Sequence, residues 1–353
     1  MHAIITKTGS YIPSRTISNS HFLCNEFYDA AGKRPHRPNE ELVRKLNEIT
    51  GIVERRYAPD EMTSSEMAFH AAEAALEGVD RESLDYIIVA HIFGDVSHGR
   101  ARWDTVPTLS SRVKHRLRIR NPYTIATDIL FGCAGWLQGI IMADYLIRSG
   151  DARRVLVIGS ETMARIGDPH DQDTMIYSDG AGATLLEAAE TNDGILSHVA
   201  RTDSYKEAFL LHMGRSYSPY DMSDRIYLKM AGHEIYKYAV RTVPLVVKQN
   251  LEKSGLKLTD VKKVLVHQAN EKLDWAIIKR LFHLYGEEEI PTDIMPMIIN
   301  WTGNSSVATL PTLLDLISKG QMNGHRMIPG DIIVFAAVGA GMNVNTMVYR
   351  IPF

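Results

Sequence analysis

The two halves of this chain contain the same order of short apolar strands and small-residue turns. The first half contains, in sequence, YIIVAH (86–91), IATDILFGCAGWLQGI (125–140), RRVLVIGSE (153–161) and SDGAGATLLEA (178–188). The second half contains KVLVHQAN (263–270), MIINWTGNSSVATLP (297–311), GDIIVFAAVGAG (330–341) and MNVNTMVYRI (342–351). A repeated order of this kind indicates an internal duplication. We expect two related halves, residues 1–189 and 190–353.

Short β-branched runs alternate with longer helical patterns, which predicts an α/β fold with a mostly parallel sheet. The predicted buried strands are 84–91, 153–161, 261–270 and 330–339, and the clearest helices are 65–79 and 236–255. Pro244 should interrupt or kink the second helix, and Gly255 should end it. Two basic, Pro- and Gly-containing stretches, 26–41 and 94–122, are predicted to be surface insertions.

Composition excludes several classes of protein. The net charge is −3 and there are two cysteines in 353 residues, with no CxxC motif. These values give no global case for nucleic-acid binding and argue against a disulfide framework. The N-terminal residues lack a signal-peptide pattern, and no apolar run reaches the ~18 residues of a membrane span. We therefore expect a soluble, cytoplasmic protein that binds no nucleic acid and has no membrane span.

Two polar stretches and one cysteine have simpler interpretations than a functional site. GDPHDQD (167–173) contains potential metal ligands, but we interpret it as a polar loop and predict no metal site. The basic stretches HGRAR (98–102) and KHRLRIR (114–120) have only Trp103 as a nearby stacking aromatic, so a solvated surface is expected there. Cys24 has no chemical partners nearby in sequence and is expected to be structural.

Three side chains that suit acyl transfer are predicted at the carboxyl ends of strands. Cys133 and Asn304 occupy matching places in the repeat, each in a small-residue turn between a strand and a helix, and His267 ends a matching strand. Active sites of α/β sheets gather at this edge. A helix N-terminus stabilises a thiolate and lowers its pKa, an imidazole can move a proton, and an amide can donate to an oxyanion. The pattern therefore predicts acyl transfer through a thioester intermediate.

Six consecutive stretches resemble the motifs of β-ketoacyl-acyl carrier protein synthase III, a family of thiolase-like condensing enzymes. They are CAGWLQGI, VLVIGSETMARIGDPHDQDTMIYSDGAGATLL, YLKMAGHEIYKYAV, VLVHQAN, WTGNSSVATLP and VGAGMN. The resemblance extends from TGIVERRYAP (50–59) to the C-terminus. It implies a thiolase-like five-layer αβαβα fold built from two pseudo-symmetric halves, a homodimer, and a Cys-His-Asn triad.

The resemblance also implies a role for each residue of the triad. Cys133 would accept an acyl group from a thioester of coenzyme A or acyl carrier protein. His267 and Asn304 would stabilise the enolate formed when a malonyl thioester loses CO₂, and the enolate would attack the acyl-Cys. The backbone N–H groups of Cys133 and Ala340 would form the oxyanion hole. No metal or redox cofactor is implied.

Further positions match substrate and carrier contacts of the family. Asn270 and Gly339 match positions next to the pantetheine arm, and Val106 matches one next to the acyl chain. Three basic residues match the surface that receives an acidic carrier protein: Lys272, Lys279 and Arg280.

Three positions depart from the family pattern. Lys45 and Ile49 replace the Trp and Arg with which many members hold the adenine of coenzyme A, so a carrier-bound donor is favoured. Val106 stands where other members carry a bulky aromatic residue. Its smaller side chain would open a longer acyl channel, reached from the dimer partner.

These departures leave other functions open. The chain could join two acyl or β-ketoacyl thioesters, as dialkylresorcinol- or quinolone-type ketosynthases do, or it could transfer the acyl group to oxygen. A non-catalytic dimer partner is a further alternative, although such subunits typically lose the nucleophile that is retained here.

Overall fold

The computed structural model describes residues 1–99 and 103–353 of the chain. Its strands are β1 (His2–Tyr11), β2 (Arg15–Ser18), β3 (Glu54–Tyr57), β4 (Tyr86–His91), β5 (Asp95–Val96), β6 (Trp103–Asp104), β7 (Ile125–Leu130), β8 (Arg154–Thr162), β9 (Asp179–Ala189), β10 (Gly194–Thr202), β11 (Leu211–Gly214), β12 (Tyr227–Met230), β13 (Val261–Val266), β14 (Ile332–Gly339) and β15 (Asn343–Arg350). Its α-helices are α1 (Asn39–Thr50), α2 (Ser64–Ala75), α3 (Leu109–Arg116), α4 (Gly135–Ser149), α5 (Ser204–Glu207), α6 (Gly232–Ser254), α7 (Glu271–His283), α8 (Ile299–Thr302) and α9 (Thr309–Ser318). Within the described ranges, no helix combines the length and the apolar character that a membrane crossing requires.

Four strands of each of the two main sheets repeat the same topology, and β7 of the first sheet has no counterpart in the second. The first has the order β1-β9-β8-β4-β7 and the second the order β10-β15-β14-β13. In the first, β4 pairs with β8 in parallel while β9 pairs antiparallel with both β8 and β1. In the second, β13 pairs with β14 in parallel while β15 pairs antiparallel with both β14 and β10. The pairing matches the order seen in the sequence. Strand β9 ends at Ala189 and β10 begins at Gly194, on either side of the proposed division at 189/190, which stays a prediction.

Five layers result from the packing of helices on these sheets. Helices α2 and α3 cover the outer face of the first sheet, and α6, with α7 packed against it, covers the outer face of the second. Helices α4 and α9 lie between the sheets and contact both. The central core joins the two halves, since Leu137 and Val157 belong to the same buried cluster as Leu313 and Phe335. The predicted αβαβα architecture is confirmed.

The sheets are mixed, so the prediction of a mostly parallel sheet was wrong. Only three residues, Ala340–Met342, connect β14 to β15. A parallel crossover needs about a dozen residues or more, so this connection can only return the chain antiparallel.

Three local predictions also need correction. In the described structure, the element immediately before Asn304 is the short helix α8 and not the predicted strand. Pro291 and Pro296 lie in the preceding segment and have no N–H to donate to a ladder. Helix α6 is not interrupted at Pro244, whereas a kink there stays a prediction. The stretch 94–122 is not an irregular insertion throughout, because it contains α3, whose Leu109 and Val113 are buried.

Candidate active site

Cys133 lies in a tight turn between β7 and α4. The turn is a 3-10 helix, Gly132–Ala134, that leads directly into α4. Gly132 has a φ of +64°, a backbone conformation that is strained for a residue with a side chain. A Cβ at this position would also lie 3.2 Å from Ile92 Cδ1 and 3.4 Å from Ala340 N. The sequence therefore places the thiol at the start of the central helix, as predicted.

The backbone of the second half closes over this turn at Gly339 and Ala340. A Cβ on Gly339 would lie 2.9 Å from Cys133 N and 3.1 Å from Ala134 N. Gly339 has extended backbone angles, φ −153° and ψ −174°, that any residue can adopt. Glycine is required here because of the close approach to the nucleophile turn, which brings residue 340 beside Cys133.

His267 follows β13 and faces the same region. Its backbone N–H donates to Ala336 O at 2.8 Å, which continues the ladder between β13 and β14. The ring is buried, and Nδ1 finds no hydrogen-bond partner among the described residues. Burial lowers the pKa of His267 to about 4. The imidazole is therefore neutral near pH 7 and carries one N–H that can donate.

Asn304 is held rigidly with its amide donor available. Its backbone N–H donates to Ile176 O at 2.9 Å, and its carbonyl accepts from Ser178 N at 2.9 Å. Its side-chain Oδ1 accepts the N–H of Ser306 at 2.9 Å. With Oδ1 engaged, the Nδ2 group remains to donate to a ligand.

Ser306 contacts the nucleophile from the second half of the chain. Its Oγ lies 3.3 Å from Cys133 Sγ, and its backbone has a φ of +54°, unusual for a residue with a side chain. Strained backbone of this kind is maintained by the surrounding structure and is frequent at functional sites.

The thiol does not have the lowered pKa that its helix position predicts. The pKa of Cys133 is raised to about 11, chiefly because burial disfavours the thiolate. The hydrogen bond from Ser306 and the Cys133 backbone N–H act in the opposite direction, and the buried carboxyl of Glu161 adds to the increase. Desolvation outweighs the two hydrogen bonds that favour the thiolate, so the pKa is raised, contrary to the predicted lowering.

These side chains border one cavity of about 80 Å³. Cys133, His267, Asn304, Ser306, Gly339 and Ala340 form one part of its wall. The rest is largely aliphatic and includes Ile92, Met163, Ile176, Leu211, Leu228, Met230, Ile235, Leu273, Ile277, Val338 and Met342. A thiol and two neutral hydrogen-bonding groups beside an apolar space can hold an acyl chain and polarise its carbonyl.

The other predicted substrate contacts are placed differently. Asn270 is half-buried and caps α7, where its side chain accepts from Leu273 N at 3.1 Å. Val106 is 82% exposed and does not line the cavity of its own chain. A role for Val106 in a partner's acyl channel stays a prediction.

Helices α1 and α7 carry the predicted coenzyme A and carrier positions. On α1, Lys45 pairs with Glu41 at 3.3 Å and Ile49 is exposed. On α7, the three basic residues are exposed, seven and eight residues apart, and so share one face of the helix. They are Lys272, Lys279 and Arg280.

The GDPHDQD stretch is a polar loop, as predicted, and a buried lysine holds it. Lys229 Nζ lies 2.5 Å from Asp168 Oδ2 and 3.2 Å from Asp171 Oδ2. The ring of His170 hydrogen-bonds Glu26 O at 2.7 Å. Among the residues described, no group of three or more His, Cys, Asp or Glu side chains is arranged to hold a metal.

The two remaining sequence interpretations concern Cys24 and the basic HGRAR stretch. Cys24 is an exposed free thiol, so the prediction of a structural, packed cysteine was wrong. In the basic HGRAR stretch, residues 100–102 lie outside the described residues.

Sequence reasoning gave no role to three buried residues near the cavity. Ser306 belongs to the GNSS motif, whose hydroxyl groups were the available signal. Glu161 lies within β8, after an apolar run in the same strand. Asp274 interrupts the apolar stripe of α7 that continues at Ile277 and Ile278, and a charged residue in such a stripe was its signal.

Comparison with known proteins gives a consistent result. Residues 127–204 match the family 3-Oxoacyl-[acyl-carrier-protein (ACP)] synthase III, and residues 251–351 match its C-terminal region. The chain is 32% identical over 356 residues to the β-ketoacyl-[acyl-carrier-protein] synthase III of Alkalilimnicola ehrlichii, with 99% of each chain covered. It is 30% identical to synthase III 1 of Halalkalibacterium halodurans, with 97% of this chain and 96% of that protein covered.

Solved structures agree in fold over the whole chain. The 3-oxoacyl-[acyl-carrier-protein] synthase III of Aquifex aeolicus superposes with a TM-score of 0.80 at 29% identity, with 99% of each chain covered. The priming β-ketosynthase of the R1128 polyketide pathway superposes with a TM-score of 0.81 at 25% identity, covering 99% of this chain and 96% of that one. The chain therefore belongs to the 3-oxoacyl-[acyl-carrier-protein] synthase III family and is an acyltransferase of the condensing class.

Proposed function

We propose that this chain loads an acyl group on Cys133 and condenses it with a malonyl-type thioester to give a β-ketoacyl product. The observation that carries this proposal is the common cavity of a thiol, a neutral imidazole and an amide whose donor is available. The aliphatic remainder of the wall suits the acyl chain. The relatives' names, which include acyl carrier protein, support the substrate class.

In the first half-reaction, Cys133 Sγ attacks the thioester carbonyl carbon. The new S–C bond forms as the bond to the donor thiol breaks, and the proton of Cys133 passes to the departing thiol. The N–H groups of Cys133 and Ala340 would donate to the oxyanion; one such donor typically lowers the barrier by about 3 kcal/mol. The close packing of Gly339 on Cys133 supports this arrangement, because it brings the two backbone segments together.

In the second half-reaction, the malonyl thioester loses CO₂ and the electron pair of the broken C–C bond forms an enolate. The N–H of His267 and the Nδ2 group of Asn304 would donate to the enolate oxygen. The enolate carbon attacks the acyl carbonyl, and Cys133 leaves as the thiolate and regains a proton. A neutral His267 suits this role, because it needs no counter-ion in an apolar cavity.

Separate assays of the two half-reactions test these roles. Cys133→Ser should abolish acyl loading in intact-mass measurements. His267→Ala and Asn304→Ala should still load the acyl group but lose condensation with malonyl thioester by at least a hundredfold. Acyl loading of Cys133→Ser equal to that of the wild type would contradict the role of Cys133. Normal condensation by both His267→Ala and Asn304→Ala would contradict their roles in the second half-reaction.

The basic face of α7 is the proposed docking surface for an acidic carrier protein. Lys272, Lys279 and Arg280 are exposed and have no acidic partner within ion-pair distance in the described part of the chain. Reversing all three charges to Glu should raise KM for carrier-bound malonyl thioester without changing kcat. Lys206→Glu, an exposed lysine on α5, is the control and should leave KM unchanged.

We also propose a homodimer formed at the free edge of β7. This strand is the last of the first sheet and pairs only with β4 among the described strands. Ile125 and Leu130 at its ends are 46% and 67% exposed, which is unusual for apolar residues of a strand. Sedimentation equilibrium should give twice the chain mass, and Leu130→Asp should shift the measured mass toward that of the monomer.

We also propose a cytoplasmic location for the protein, which rests on the two free cysteines.

A second candidate reaction joins two acyl or β-ketoacyl thioesters on the same cavity. The similarity to a priming β-ketosynthase of a polyketide pathway favours it as an alternative. An acyl-Cys133 adduct that is discharged by a β-ketoacyl thioester but not by malonyl thioester would select this reaction.

A further inference from the structure

A carboxylic acid is buried in the wall of the active-site cavity without a partner. Asp274 lies in the first turn of α7 and is 0% exposed. It lines the same cavity as Cys133, His267 and Asn304. Neither Oδ1 nor Oδ2 has a side-chain partner among the described residues, and the nearby backbone N–H groups of Asn270 and Ala269 do not meet full hydrogen-bond geometry with them. Buried carboxyl groups are normally paired, so this one needs an explanation.

Helix capping does not explain Asp274. Asn270 already caps α7 by accepting the N–H of Leu273, and the N–H of Asp274 itself donates to Asn270 O at 2.9 Å. Glu271 supplies an acidic group in the first turn. The side-chain cap of α7 is therefore made by Asn270 and not by Asp274.

An ion pair does not explain it either. No Lys, Arg or His in the described ranges lies within ion-pair distance of the carboxyl group. Burial raises the pKa of Asp274 well above its ordinary value, while the nearby N–H groups of Asn270 and Ala269 offset only part of this increase. Burial therefore favours the protonated carboxylic acid, which has one O–H donor and a carbonyl acceptor.

The surroundings of Asp274 limit what can satisfy these groups. Leu273, Ile277, Ile235 and Met342 line the cavity with it and carry no polar side-chain atom that could bond a carboxyl group. The polar lining groups Tyr177, His267 and Asn304 make no hydrogen bond to Asp274. A purely hydrocarbon chain in this space would leave the donor and the acceptor unpaired, which is unfavourable. A carbonyl or hydroxyl oxygen on the chain would pair with them.

We propose that Asp274 is a specificity-determining residue that hydrogen-bonds a carbonyl or hydroxyl oxygen carried on the acyl chain loaded at Cys133. The proposal rests on the proposed function, because it requires an acyl chain in this cavity. It names the substrate class as oxygenated acyl thioesters. A site built to bond such an oxygen discriminates strongly against the analogue that lacks it.

The test compares acyl donors of equal length in the wild type, Asp274→Leu and Asp274→Asn. The donors are pantetheine thioesters of hexanoate and of its 3-oxo, 3-hydroxy and 5-oxo derivatives, mixed in competition and detected as adducts on Cys133. The wild type should load at least one oxygenated donor in preference to hexanoate. Asp274→Leu should reduce that preference at least tenfold, and Asp274→Asn, which keeps a donor and an acceptor, should retain most of it.

Other outcomes separate the possible failures. An equal loss of loading for all four donors in Asp274→Leu would mean that Asp274 contacts the shared thioester arm or serves folding, and would overturn the proposal. An unchanged preference would also overturn it. If Asp274→Leu does not fold, Asp274→Val takes its place and must reduce the preference at least tenfold while Asp274→Asn retains most of it. Absence of any adduct in the wild type would instead refute the proposed function itself.

Discussion

The substitution Gly339→Ala tests whether close backbone packing positions the nucleophile. The added Cβ would lie 2.9 Å from Cys133 N, 3.1 Å from Ala134 N and 3.4 Å from Cys133 Cβ. The first two atoms belong to the backbone of the nucleophile turn and cannot rotate away, so the turn itself must move. Overpacking of this kind costs about 1–3 kcal/mol of stability. Displacement of one oxyanion donor lowers kcat by about 100- to 1,000-fold.

Two measurements on Gly339→Ala separate positioning from folding. The midpoint temperature of thermal unfolding should fall by roughly 2–4 °C for each kcal/mol of unfolding free energy lost. In the fraction that remains folded, kcat should fall by about two orders of magnitude. Gly180→Ala is the matched control, because a Cβ there is 3.5 Å or more from its neighbours. If Gly339→Ala condensed substrates within twofold of the wild-type rate, the reasoning about the oxyanion donors would be refuted.

Three further predictions follow from the charges of the site. Ser306→Ala removes a hydrogen bond that favours the Cys133 thiolate, so alkylation by iodoacetamide at pH 8 should slow about tenfold; an unchanged rate would remove Ser306 from thiol activation. Because the pKa of His267 is about 4 in the folded protein, the unfolded chain binds an extra proton as pH falls below 6.5. The wild type should thus lose about 3 kcal/mol of stability relative to His267→Gln between pH 7 and pH 4 in urea titrations, and a constant difference would contradict a buried neutral ring. Lys229→Met leaves two buried carboxylates unpaired and should lower unfolding free energy by about 3–5 kcal/mol, whereas Lys237→Met, from an exposed pair, should change it by less than about 1 kcal/mol; equal effects would contradict the importance of burial.

The repeat predicted two related halves and the three polar groups of the site, and the resemblance of the motifs to the synthase III family implied the five layers. Strands β4, β8, β13 and β14 begin and end within a few residues of their predicted positions, because continuous apolar runs mark strands buried on both faces. Cys133 and His267 follow predicted strands. Asn304 reaches the cavity without a strand before it, because an isolated bridge to Tyr177 holds it in place.

The sequence did not predict what depends on three-dimensional surroundings. The pKa of Cys133 depends on how completely the cavity excludes water, and local sequence shows only the helix N-terminus. The contact of Ser306 with Cys133 joins residues 173 positions apart. The lack of partners around Asp274 depends on the side chains of several elements. Helix α6 tolerates Pro244 in the structure, although proline alone predicts an interruption.

The most direct test of the account is peptide mass mapping of Cys133 through one catalytic cycle. The protein is incubated with acyl-carrier-protein and acyl-coenzyme A donors of increasing chain length, digested, and compared before and after addition of malonyl-carrier protein. The account predicts an acyl adduct on the peptide that contains Cys133, lost on addition of the malonyl thioester as a β-ketoacyl product appears. An adduct on another residue, or an acyl-Cys133 that the malonyl thioester leaves intact, would contradict it.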